Sequence, residues 1–100
     1  MSSPNGSPTY RVVTSGVLKE RIKALHLEAT QKGFGLEFLE ALRIIYRRLG
    51  EAPRQFGDPQ FRLAALRLTV FHRAYFPVAV DYGVHDHLPF VVVRGFRLMI

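Results

Sequence analysis

A chain of 100 residues, 48% apolar and 22% charged, has the composition of one ordinary globular domain with one core and excludes a fibrous or wholly disordered protein. It contains no cysteine, so neither disulfides nor a thiolate metal site can hold it together, an oxidising compartment is not required, and the cytoplasm is the expected location. The net charge is +6 and 11 of the 14 basic residues are arginine, whose planar fork suits phosphate and so points to an acidic partner.

Residues 1–9 carry no charged side chain and no apolar run. They lack the basic and hydrophobic regions of a signal peptide and read as a disordered tail, leaving 10–100 as a single domain. Tyr10 to Thr14 is β-branched and aromatic and reads as a short strand, with Ser15 suited to cap the helix that follows. Leu18, Ile22, Leu25 and Ala29 then recur at helical spacing as far as about Lys32, where Gly33-Phe34-Gly35 ends the run. Phe38, Leu42, Ile45 and Leu49, widened by Leu39 and Tyr46, form a second stripe. The connection is so short that the two helices should be antiparallel neighbours.

Gly50 to Gln60 holds two glycines and two prolines and reads as loop. From 63 to 75 the chain reads as strand, with Leu66, Leu68 and Val70 alternating with Arg67, Thr69 and Phe71. Pro77 marks a boundary, and Val78, Val80, Tyr82 and Val84 give the next strand. His85 to Pro89 is a turn before a final strand from Phe90 toward Arg97. The longest apolar run, Leu88 to Val93, is far shorter than the roughly 20 residues of a membrane-spanning helix, so no membrane association is expected. The fold class is α+β: a strand, a helical hairpin, then a three-stranded antiparallel meander, with the helices packed on one face of the sheet and the other face open.

This order, with its strand ending at Ser15 and its loop holding Pro53, Phe56, Gly57 and Pro59, resembles the RelE/ParE superfamily of bacterial toxins over roughly Tyr10 to Arg97. The resemblance implies ribosome-dependent cleavage of messenger RNA (the RelE branch) or inhibition of DNA gyrase (the ParE branch), each silenced by a cognate antitoxin, without a cofactor. Members of the family often open the third strand with an aromatic-arginine pair and end the last with histidine-arginine or tyrosine. Here those places hold Phe76-Pro77-Val78 and Arg94-Gly95-Phe96-Arg97, so that only Arg97 fits.

RNA cleavage through the 2′-hydroxyl needs a base, an acid and cations where phosphate charge accumulates. Arg67, Thr69, Phe71, Arg73 and Tyr75 share one strand parity, opposite to Leu66, Leu68 and Val70, so guanidinium and aromatic groups are expected to interleave on the open face and grip nucleic acid. Arg94 and Arg97 are expected to converge with them. The nucleic-acid-binding set is then Arg67, Phe71, Arg73, Tyr75 and Arg94, and the catalytic candidates are Arg97, Arg73 and His72. The same pattern also fits solvated arginines beside aromatics of a second small core or a partner interface, with His72 structural. Tyr82 fits packing better than acid-base work. His85-Asp86-His87 is too isolated to expect a metal, and Arg43, Arg47 and Arg48 form a basic ridge that fits either a solvated face or an acidic partner. Two functions stay open: a toxin acting on messenger RNA or the ribosome with weak or absent intrinsic cleavage, and a non-catalytic protein-binding module of the same fold.

Overall fold

In the computed structural model, which describes residues 9–100, the chain runs through β1 (Arg11–Val13), α1 (Gly16–Gln31), α2 (Gly35–Glu51), α3 (Pro53–Phe56), β2 (Asp58–Leu63), β3 (Leu68–Tyr75), β4 (Val78–His85) and β5 (Phe90–Leu98). The expected tail falls largely outside the described residues. Thr9, counted within that tail, is held: its amide donates to Gly50 O at 2.8 Å and its hydroxyl to Glu51 O at 3.3 Å.

Ser15 caps α1 as its side chain dictates, its Oγ accepting from the Leu18 amide at 3.1 Å. Gly33, at φ 86°, ends the helix in the left-handed conformation that glycine adopts without strain. Leu25 and Ala29 from α1, and Phe38, Ala41, Ile45 and Leu49 from α2, are buried against Phe71, Val80, Tyr82, Val84, Val91 and Phe96 of the sheet. The two helical stripes and one sheet face thus close a single core, and the α+β class with helices against a sheet holds.

The sheet has five strands in the order β1-β5-β4-β3-β2. β1 runs parallel to β5, with Val12 opposite Val91, and the other pairs are antiparallel. The extra strand comes from the segment read as loop. Pro53 at the first turn of α3 breaks nothing, because the amide it lacks would have no partner there. Pro59 is tolerated because β2 is an edge strand. Nor is 63–75 one strand: Ala64–Leu66 form a 3-10 turn and Arg67 sits at φ 55°, in the left-handed region.

The face of β3 is the reverse of that expected. Phe71 packs into the helix-side core, its ring stacked on Tyr82 at 5.4 Å. Leu68 and Val70 are also buried, but on the opposite side, where Gly83 leaves room for the Leu68 side chain. Both parities of β3 are apolar near its start, so alternation alone could not orient the strand.

Tyr82 is fully buried and its hydroxyl donates to Pro53 O at 2.6 Å. Gly57 completes the junction, since a Cβ there would stand 2.7 Å from the Tyr82 oxygen and 2.8 Å from His72 O. Burial pushes the Tyr82 phenol up to about 12 from an ordinary 10.0, against the opposing pull of the Gly57 backbone and of Arg73 and Arg48. A phenol is neutral when protonated, so the stability linked to this raised value is full below 10.0 and is lost as pH rises through about 12. Ultraviolet titration should show the Tyr82 phenol ionising only near about 12, together with alkaline unfolding. Tyr82→Phe should remove that component and cost about 1–3 kcal/mol in urea denaturation, because Pro53 O is left without a donor. A Tyr82 phenol titrating at 10.0 in the folded chain contradicts the buried hydrogen bond to Pro53 O.

Candidate nucleic-acid interface

The sheet face away from the helices is assembled across three strands by register. His72 of β3 lies opposite Asp81 of β4, which lies opposite Gly95 of β5, and one row further Ala74, Ala79 and Arg97 align. Asp81 is on this face because Val80 and Tyr82 point to the core and neighbours on a strand alternate. A carboxylate only accepts, so His72 Nδ1–H donates to Asp81 Oδ1, at 2.7 Å, and Nε2 is the ring nitrogen left without a partner among the described residues.

Between Asp81 and Tyr82 the β4–β5 register slips by one, so Arg94 is the unpaired residue of a β-bulge. Its side chain lines an open cleft of about 450 Å³ with Gln60, Phe61, Val70, His72 and Asp81. Phe61, the β2 partner of Val70, is 54% exposed despite its apolar ring. Among the described residues neither Arg94 nor Arg97 enters an ion pair. The cleft therefore combines an aromatic plane able to stack a base, an unneutralised guanidinium able to hold phosphate, and an imidazole oriented by a carboxylate.

The residues expected to meet on one face are divided. His72, Arg94 and Arg97 share the open face. Arg73 cannot join them, because adjacent residues of a strand point to opposite sides. It lies on the helix side, where Nη1 donates to Phe56 O at 2.7 Å and the guanidinium covers the Phe56 ring at 4.9 Å. Phe71 is core rather than a stacking platform, and Tyr75 packs on the same side, 6.4 Å from Phe56. Arg67 caps the 3-10 turn and belongs to no strand face.

Phe61, Gln60 and Asp81 were missed by sequence reasoning. Only Asp81 left a signal, as the single charge between the alternating Val80 and Tyr82. Phe61 was hidden by Pro59, which argued against a strand.

The other candidates are engaged elsewhere. Asp86 accepts from Arg62 Nε and Nη2 at 2.9 and 2.6 Å and from Thr69 at 3.0 Å, and the Arg62 hydrogen bonds hold its carboxyl below the ordinary 3.8. His85 Nδ1 accepts the amides of His87 and Leu88, closing the β4–β5 turn. No three metal-ligating side chains are grouped among the described residues. The ridge on α2 is divided too: Arg43 pairs with Glu40, and Arg48 lies over Phe56 at 5.3 Å.

Comparison with protein-family models, curated proteins and solved structures gave no match. No helix among the described residues is long and apolar enough to cross a membrane.

The two phenylalanines on either side of the sheet should behave differently. Phe71→Ala should destabilise the fold by about 3–5 kcal/mol in urea denaturation, as expected for a core aromatic. Phe61→Ala should stay within about 0.5 kcal/mol, as expected for an exposed side chain. Equal costs would contradict the orientation of β3.

Proposed function

We propose that the chain is a RelE/ParE-like toxin of a type II toxin–antitoxin pair in the bacterial cytoplasm, silenced by a cognate antitoxin, which engages messenger RNA or the ribosome through the open sheet face. The observation that carries this reading is the convergence of Phe61, Arg94 and the His72–Asp81 pair on one cleft. A single-stranded segment suits it: a base on Phe61, phosphates on Arg94 and Arg97, and the ribose hydroxyl toward His72. Phe96, where the resembling family often carries histidine, is buried against Tyr46, so His72 is the imidazole best situated to replace it.

In that role His72 Nε2 takes the proton of the 2′-hydroxyl, the oxygen attacks phosphorus, and the bond to the 5′-oxygen breaks. The guanidinium groups stabilise the charge on the phosphoryl oxygens. The leaving oxygen takes its proton from water, because the cleft holds no second acid beside the arginines, and intrinsic cutting is therefore slow. A protein-docking module is the second reading. It is favoured by the exposed apolar ring of Phe61 in the cleft.

Induced expression in a bacterial host, with growth measurement and mapping of messenger RNA 5′ ends, separates the two. Growth arrest with new 5′ ends is expected, abolished by His72→Ala. Arg94→Ala should weaken RNA binding by roughly tenfold and lower the salt slope of affinity by about one. Arrest without new ends leaves a binding mechanism, and absence of both overturns the toxin reading in favour of the docking module.

A further inference from the structure

Among the described residues the ion pairs engage Lys23, Lys32, Arg43, Arg62 and His72, and neither Arg48 nor Arg73 belongs to one. Both converge on the same buried ring instead. Arg48 from α2 and Arg73 from β3 place their guanidinium carbons 5.3 and 4.9 Å from the Phe56 centroid. Arg73 is anchored further by its bond to Phe56 O. The ring they cover lies 6.3 Å from that of Tyr82, and both charges oppose the burial-driven rise of the Tyr82 phenol. Asp58 is near enough to act on Tyr82, yet it pairs with neither arginine.

Two cations brought to one ring from different elements repel, and the ring quadrupole offsets that only in part. A guanidinium has five N–H donors, and among the described residues Arg73 uses one and the Arg48 side chain none. Anchored forks, spare donors and uncompensated charge are the requirements of a phosphate site. We propose that Arg48 and Arg73, held on Phe56, bind a phosphate group on the helix-bearing side of β3, at a site separate from the open-face cleft. The phosphate belongs either to a small phosphorylated molecule or, on the reading proposed above, to the backbone of an RNA that passes over the edge strand β2.

The test follows the arginine Nε–H signals of the whole chain by NMR during titration with inorganic phosphate, with a short oligouridylate, and with acetate at matched ionic strength. Saturable shifts confined to Arg48 and Arg73 are expected with phosphate, weakened about tenfold in Arg73→Lys, which keeps the charge but loses the fork. If oligouridylate moves the same two signals in both wild type and Arg94→Ala, the RNA backbone is the source. If inorganic phosphate alone moves them, the source is a small phosphate compound. Either result supports the site whether or not the open-face cleft binds RNA. No saturable shift with either probe, equal shifts at all arginines, or an equal effect of acetate would overturn it.

Discussion

Tyr82 donates its buried hydroxyl to Pro53 O against Gly57, and the placement of Phe56 and of the edge strand β2 depends on that contact. It joins the middle of β4 to α3, the one-turn helix that carries the chain from the helical hairpin to the edge strand. Once α3 is fixed, Phe56 enters the core edge and β2 starts beside His72, with Asp58 in register. Gln60 and Phe61 then fall next to Val70, His72 and Arg94. An unpaired carbonyl in the same buried place would cost about 1–3 kcal/mol, which is why a tyrosine serves here where phenylalanine would fill nearly the same space.

β3 divides the chemistry of the molecule between two faces. His72 and Arg73 are sequence neighbours, yet one faces Asp81 across the open side and the other covers Phe56 on the helix side. Alternation enforces this separation without further stabilisation. The bulge at Arg94 has the complementary effect on β5: the extra residue between Val93 and Gly95 presents a cation on the open face without removing Val93 or Phe96 from the core. A strand of strict alternation could not have Val93 and Phe96, three residues apart, on one face.

Much of the fold is legible in the sequence because its signals are local. The spacing of Leu18, Ile22, Leu25 and Ala29, the Ser15 cap, and the alternation of Val78, Val80, Tyr82 and Val84 each report on one element and need no partner. The misread parts depend on partners distant in sequence. Nothing between Gly50 and Gln60 announces that an edge strand tolerates Pro59, and the opposed burial of Val70 and Phe71 is decided by Tyr82 and Gly83 on the neighbouring strand. The candidate site divides likewise. His72, Arg94 and Arg97 stand out as polar residues on strands, whereas the His72–Asp81 pair and the approach of Phe61 exist only through the register of β2, β3 and β4.

The central claim is that RNA lies on the open sheet face. Photo-crosslinking of thiouridine-substituted single-stranded RNA to the purified chain, followed by mass-spectrometric assignment of the adduct, tests it most directly. The account predicts adducts at Phe61 and its β2 neighbours, lost in Arg94→Ala while the fold persists. Adducts confined to the outer surfaces of α1 and α2, unaffected by Arg94→Ala, would contradict it.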